Sequence, residues 1–255
     1  MPLELVTIPC RADNYAFLLH DSETGQTALI DAPETAPIAA ELAARHWRLD
    51  DILITHHHAD HTTGVDDLRA AHGARVIGAT ADSHRLPALD LAVAGGETFS
   101  SCGAEVRVID VPGHTVGHIA FYVPAAAAVF TGDSLMALGC GRLFEGTPAQ
   151  MWDSLQRLRA LPPETRVCSG HEYTAANARF ALSIDPGNAD LISRAAEIDA
   201  ARAEGRPTVP SSLQTECRTN PFLRADDPGL KTAIGMGAAP DVEVFAEVRH
   251  RKDRF

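Results

Sequence analysis

Thr55-His56-His57-His58-Ala59-Asp60-His61 follows the apolar run Ile52-Leu53-Ile54. The run reads as a strand and the residues from about Thr63 as a helix. The seven residues between therefore lie on a turn, where functional side chains are commonly displayed. Their spacing, H-x-H-x-D-H, puts four metal-ligating side chains within six positions. Neutral imidazole and carboxylate suit zinc and neighbouring first-row metals. Two histidines separated by one residue can address one ion, and the Asp-His pair after them can address a second close by. A solvated histidine-rich loop is the competing reading. It needs nothing from the rest of the chain, whereas a two-ion site needs further ligands downstream.

The chain has 255 residues, 45% hydrophobic and 22% charged, which is ordinary for a folded soluble protein. That length allows one large domain or a main domain with a smaller appendage. No stretch approaches the ~20 apolar residues of a membrane span. The longest candidate, 119–130, is interrupted by Pro124. Met1-Pro2-Leu3-Glu4-Leu5 has neither the basic start nor the apolar core of a signal peptide. Cys10, Cys102, Cys140, Cys168 and Cys217 are scattered, odd in number and never form C-x-x-C. That usage suits free thiols in a reducing compartment. A cytoplasmic protein with no membrane partner is expected. A formal charge of −12 argues against a nucleic-acid partner. An anionic small molecule remains open if cations are gathered locally.

Along the chain, 3–8, 15–19 and 27–30 read as strands, 35–46 as a helix and 51–55 as a strand. A helix over 63–71 ends at Gly73, and a strand-helix pair occupies 75–91. Strands dominate 97–131, broken by Pro112-Gly113 and Pro124. Thr147-Pro148 opens a helix with Met151, Leu155 and Leu158 at helical spacing. After one more strand, 166–168, the pattern is helical over 174–183, 188–203, 226–234 and 241–251. A β-rich part followed by a helical tail predicts two units with a boundary near residue 172.

Three further ligand candidates each follow a strand in a glycine-containing turn: His114 in Pro112-Gly113-His114, Asp133 in Thr131-Gly132-Asp133, and His171 in Ser169-Gly170-His171. Singly, each reads equally as a turn residue. Their conjunction after successive strand ends supports one shared rim. His57 occupies an x position and His118 reads as orienting a neighbour, so both stay outside the ligand set. His72, His84 and His250 are assigned to surface or helix roles. Asp31, ending a strand, is either a turn residue or a group orienting a ligand histidine.

THHHADH, PGHTVGH, TGDSL and SGHEY together resemble the metallo-β-lactamase superfamily. Within it the chain resembles, nearly end to end, the hydroxyacylglutathione hydrolase (glyoxalase II) family. This likeness includes Asp13-Asn14-Tyr15, Gly139-Cys140-Gly141-Arg142-Leu143-Phe144-Glu145-Gly146, Val209-Pro210-Ser211, Asn220-Pro221-Phe222 and the tail from Arg249 to Phe255, of which the 139–146 stretch and the helical tail point to this family. The resemblance implies an α/β fold, an αββα sandwich carrying a C-terminal α-helical domain. It implies a metal-binding catalytic domain over 1–172 and a glutathione-binding helical domain over 173–255. By the same resemblance His56, His58 and His114 hold one divalent ion, Asp60, His61 and His171 hold a second, and Asp133 bridges them. Zinc is the expected metal, with iron or manganese as alternatives.

A water shared by two such cations loses its proton readily, giving a hydroxide held between groups that include Asp60 and Asp133. It would attack a thioester carbonyl, and the departing thiolate needs little acid assistance, its thiol pKa lying near ~8.5. Cys140 as a nucleophile is then unnecessary. The family hydrolyses S-D-lactoylglutathione to D-lactate and glutathione, the second step of methylglyoxal detoxification. The resemblance places glutathione on Arg142, Phe144, Tyr173, Arg249 and Lys252. Arg142 and Phe144 stand where some members have lysine and tyrosine. Arg142 keeps the charge, and Phe144 loses a hydroxyl. The chain is expected to act as a monomer on this small molecule. The competing functions are a persulfide dioxygenase, another hydrolase of the same fold, and a non-catalytic metal-binding module. The last is disfavoured because structural metal sites are usually closed single-ion tetrahedra.

Overall fold

The computed structural model describes residues 3–255; Met1 and Pro2 of the N-terminal stretch lie outside the described residues. The chain divides into two compact units. One holds the described residues up to Asp110 with Val116–Gly132, the other Val111–Thr115 with Asp133–Phe255.

In the first unit, β1 (Leu3–Cys10), β2 (Asn14–Asp21) and β3 (Thr27–Ile30) form an antiparallel run. β4 (Asp51–Leu53), β5 (Arg75–Ala79) and β6 (Leu91–Val93) extend it in parallel. Parallel addition needs crossovers. α1 (Thr35–Arg45) makes one, burying Ile38 and Leu42, and α3 (Val65–His72) makes the next, burying Val65 and Leu68. Every residue of β2 is buried, as expected for a strand covered on both faces. A second sheet runs in the order β10 (Ala128–Gly132), β9 (Ile119–Val123), β8 (Ala104–Asp110), β7 (Thr98–Ser101), all antiparallel. The two sheets meet through Phe17 and Phe130, ring centroids 5.7 Å apart, and through the Ser101 hydroxyl donating to Asp51.

Two sequence expectations differ here. The helix expected from Thr63 is preceded by a separate turn of helix, α2 (Ala59–Thr62). No helix follows β5: residues 80–82 make a 3-10 turn, and Asp82 accepts from the Arg85 guanidinium instead of starting a longer run.

The second unit contains the hairpin β11 (Leu135–Met136) and β12 (Gly139–Cys140), the pair β13 (Arg166–Ser169) and β14 (Ser211–Ser212), and six helices. α4 (Pro148–Arg159) opens with a capping box: Thr147 accepts from the Gln150 amide while the Gln150 side chain accepts from Thr147. That satisfies two otherwise unpaired amides, worth ~1 kcal/mol. Met151, Leu155 and Leu158 form its buried stripe. α5 (Thr174–Ile184) and α6 (Ala189–Ala203) share a core of Leu138, Ala181, Leu191 and Ile198. α7 (Leu213–Thr219), not foreseen in the sequence, is followed by α8 (Pro228–Ala233) and α9 (Asp241–Arg254). Phe222 links Phe180 of α5 to Phe245 of α9 at centroid distances of 6.1 and 6.0 Å. Truncating such a buried ring typically costs about 3–5 kcal/mol. Acidic Asp241 and Glu243 open α9 and Arg251, Lys252 and Arg254 close it, a charge order that favours the helix dipole. No helix among the described residues is long and apolar enough to cross a membrane.

Candidate metal centre

In the first unit, β4 delivers the chain to Thr55 and His56, both 0% exposed. The His56 Nε2 and His58 Nδ1 atoms lie 3.1 Å apart. α2 carries Asp60 and His61 one residue later, with Asp60 Oδ2 3.8 Å from His61 Nε2. Asp31 governs the tautomers of two of these rings. His61 Nδ1 donates to its Oδ2 at 2.8 Å. The Thr55 hydroxyl donates to the same oxygen at 2.8 Å and the Thr55 amide to Oδ1 at 2.9 Å. With its proton committed, the Thr55 hydroxyl is the acceptor for His56 Nδ1 at 3.0 Å. Both imidazoles thus keep the Nε2 lone pair for a ligand, as metal-binding histidines do. Asp31 sits at φ 56°, a left-handed conformation rare outside glycine that persists only where surroundings over-determine it. The orienting reading of Asp31 is the one its contacts support.

Asn14 belongs to the motif Asp13-Asn14-Tyr15, to which the sequence assigns no role. Its side-chain amide donates to the Asp60 carboxylate and carbonyl, each at 3.1 Å. A separation of 46 positions hides this from any local pattern. His118 packs its ring 4.5 Å from that of His56, nearly parallel, and its Nδ1 donates to the Ile119 carbonyl. A Cβ on Gly132 would come within 2.4 Å of the Thr55 hydroxyl, so glycine is required there. His57 turns away to Asp82, 3.2 Å from its Nδ1. His84 and His250 are exposed, and His72 ends α3 half-buried.

In the second unit, His114, Asp133 and His171 come together and are 4–6% exposed. Both His114 Nε2 and His171 Nε2 lie 3.4 Å from Asp133 Oδ2. His114 Nδ1 donates to the Arg142 carbonyl at 2.8 Å, fixing the tautomer that leaves Nε2 for a ligand. Gly141 permits this close approach: a Cβ there would stand 2.0 Å from the Asp133 carbonyl. Two donors of one tetrahedral ion, each about 2.0–2.2 Å from it, lie about 3.3–3.6 Å apart. The 3.4 Å spacings in the second unit fall in that range and the 3.1 Å spacing in the first lies just below it, so each donor set can hold a divalent cation after a small adjustment.

His114 and Asp133 also line a cavity of about 500 Å³, together with Arg142, Tyr173, Arg249 and Lys252. Phe144, 63% exposed, lies at its edge with its ring 5.2 Å from that of His114. Tyr173 stacks on His171 at 4.7 Å. Arg249 is buried, donates to the Cys140 carbonyl at 2.9 Å and pairs with Asp253 at 2.8 Å. Lys252 Nζ donates to the Ala176 carbonyl and lies over the rings of Phe180 and Phe255. Burial, then the neighbouring Arg249, Arg179 and Arg142, push its amine down to about 8. Burial pushes the Cys140 thiol up to about 11 despite Arg249 beside it. At neutral pH it is a thiol, a poor nucleophile.

Two facing sheets, strand-end turns and paired histidine-carboxylate donors define a metal-dependent enzyme of the metallo-β-lactamase class. The model of the metallo-β-lactamase superfamily matches residues 13–171, and that of the hydroxyacylglutathione hydrolase C-terminus matches 172–255. A hydroxyacylglutathione hydrolase of Ruegeria pomeroyi is 65% identical over 255 residues, covering 100% of both chains. Among solved structures, ETHE1 from Myxococcus xanthus is 25% identical with a TM-score of 0.65 and covers 100% of both chains. TTHA1623, solved in a di-iron-bound form, is 28% identical with a TM-score of 0.61, covering 86% of this chain and 100% of its own. The chain belongs to the hydroxyacylglutathione hydrolase family of the metallo-β-lactamase superfamily. The expected fold class, an α/β metallo-β-lactamase sandwich followed by a helical C-terminal part, is borne out.

Proposed function

We propose that this metal-dependent hydrolase cleaves S-D-lactoylglutathione and related 2-hydroxyacyl thioesters of glutathione, with water, to glutathione and the free hydroxy acid. With D-lactate as product, this is the second step of methylglyoxal detoxification. The observation that carries the reading is the cavity of about 500 Å³, whose lining combines the metal-type donors His114 and Asp133 with the cations Arg142, Arg249 and Lys252. A thioester bearing a dicarboxylate tripeptide needs both kinds of group.

His56, His58 and His114 would hold one divalent cation, Asp60, His61 and His171 the other, with Asp133 shared. Zinc is the first candidate. Iron and manganese suit the same donors, and the TTHA1623 structure holds two irons. Such cations would supply an acidified water, with a pKa of ~7, and a Lewis acid for the thioester carbonyl. The chain's residues do the rest. Asp31 and the Arg142 carbonyl hold the imidazoles in the ligating tautomer. Asn14 orients Asp60. Arg249, Lys252 and Arg142 attract the tripeptide carboxylates, and Tyr173 and Phe144 offer ring surface to its backbone. The leaving thiolate is stable enough to depart without a positioned acid.

Functionally, 1–172 serves as the metal-binding catalytic domain and 173–255 as the glutathione-binding helical domain. The abutting family matches at 171 and 172 support that division. On this reading the chain acts as a monomer on its small-molecule substrate. A substrate drawn from the glutathione pool supports a cytoplasmic location.

Purified protein given S-D-lactoylglutathione should release free thiol, carry about two metal ions per chain, and lose at least about 100-fold in kcat/KM in the Asp133→Ala variant. One ion per chain without thiol release would favour the dioxygenase. Full activity of Asp133→Ala would remove that carboxylate from the reaction.

A further inference from the structure

Asn220-Pro221-Phe222 and the helix before it play no part in the function so far, yet both carry polar groups into the interior of the second unit. Glu216 and Asn220 are each 0% exposed, and neither lines the cavity. Their partners are the backbone of the hairpin that runs between Asp133 and Arg142. The Asn220 side-chain amide donates to the Met136 and Gly139 carbonyls, each at 3.0 Å. One Glu216 oxygen accepts from the Leu138 amide at 2.9 Å and from Asn220 at 3.1 Å. Its other oxygen pairs with buried Arg194, which also donates to Thr219.

Leu138, at the tip of the hairpin, has φ 55°, a conformation that leucine rarely adopts unless surrounding contacts impose it. Its own amide is held by Glu216 of α7 and the Met136 and Gly139 carbonyls by Asn220, while the Ala137 carbonyl between them accepts from Asn177 of α5 at 3.0 Å. The two legs of the hairpin lead directly to site groups. Asp133 stands two residues before Leu135. Across the hairpin, the Gly141 amide donates to the Ser134 carbonyl at 3.0 Å, and the next carbonyl, that of Arg142, accepts from His114 Nδ1 at 2.8 Å. Rotation of the hairpin would displace both the Asp133 carboxylate and the group that sets the His114 tautomer. A buried carboxylate and amide are costly to desolvate; one Glu216 oxygen and the Asn220 NH2 group go to that turn, while the other Glu216 oxygen holds Arg194 and Asn220 Oδ1 accepts from the Phe222 amide at 3.0 Å.

We propose that Glu216 and Asn220 are positioning residues of the metal centre: from α7 they hold the 135–140 hairpin in the arrangement that aims Asp133 and, through the Arg142 carbonyl, His114. The proposal rests on the assignment of those two residues as ligands. The test compares the full chain with Asn220→Ala and with Asn220→Ala/Leu138→Gly. Zinc affinity is measured by chelator competition, amide hydrogen exchange at Leu138 and Gly141 by mass spectrometry, and turnover with S-D-lactoylglutathione. Asn220→Ala should weaken zinc about 10–100-fold. It should lower kcat with KM held within about twofold, and speed exchange at both amides. Adding Leu138→Gly should recover part of the zinc affinity, because glycine adopts that φ without a clamp. A folded Asn220→Ala chain with lower thermal stability but wild-type zinc affinity and kcat would overturn the proposal, as would absence of recovery in the double variant. If Asn220→Ala does not fold, Glu216→Gln is measured in the same way, and wild-type zinc affinity there would equally overturn it. Failure of the underlying ligand assignment shows separately, as wild-type zinc affinity in Asp133→Ala.

Discussion

The donors at 56–61 and those at 114, 133 and 171 are aimed by different means. In the first unit a single carboxylate, Asp31, reaches His61 directly and His56 through Thr55. In the second, His114 is fixed by a backbone carbonyl and His171 lies against the Tyr173 ring. A side-chain hub concentrates control in one residue, whereas a backbone acceptor spreads it over everything that holds the loop. The sharpest way to break this contrast is Asp31→Asn. Its amide would face the His61 and Thr55 donors with a donor of its own, so the tautomers would no longer be held. Zinc affinity should fall about 10–100-fold, read by chelator competition, with little change in KM. An unchanged affinity would show that Asp31 is not the hub.

The same contrast explains what could be read in advance. H-x-H-x-D-H is local, so its ligating character shows in seven residues, and each later candidate shows only as a turn beside glycine. Nothing in the sequence marks the helical placement of Asp60 and His61, because Ala59–Thr62 is one turn long and has no side-chain N-cap hydrogen bond. α7 is hidden for a related reason: seven residues hold too few apolar positions to display a helical period, although Ser212 caps it by accepting from the Thr215 amide. The helix expected after β5 failed in the opposite direction. Asp82 is buried and occupied with Arg85 and His57, and the chain turns instead. Asn14 and Asp31 act on residues 46 and 30 positions away, contacts that only the sheet order brings about.

A pH experiment sharpens the comparison from the other side, because the group it addresses belongs to the second unit alone. A lysine with its amine lowered to about 8 is charged below that pH and loses its charge as pH rises through it. Attraction for a substrate carboxylate is then complete near pH 7 and fades above 8. KM for S-D-lactoylglutathione should rise about five- to tenfold between pH 7 and 9, while zinc affinity follows a different profile. Lys252→Arg keeps its charge throughout and should flatten the KM profile over this interval. A rise of the same size in that variant would assign the pH dependence to another group.

Phe144→Tyr should have the smallest effect of the three and isolates binding from chemistry most cleanly. Phe144 is 63% exposed, and its ring stands 5.2 Å from that of His114, close to the centre but offering it no donor. A hydroxyl added to that ring can give the bound tripeptide one more hydrogen bond, worth about 0.5–1.5 kcal/mol, or a two- to tenfold decrease in KM. Because that bond is the same in ground and transition states, kcat should not move. Asp31→Asn is expected to change metal affinity without KM, and Phe144→Tyr to change KM without metal affinity. A Phe144→Tyr chain with altered zinc affinity would mean that the cavity edge and the ligand His114 respond as one body, and the separation of holding metal from holding glutathione would fail at that residue.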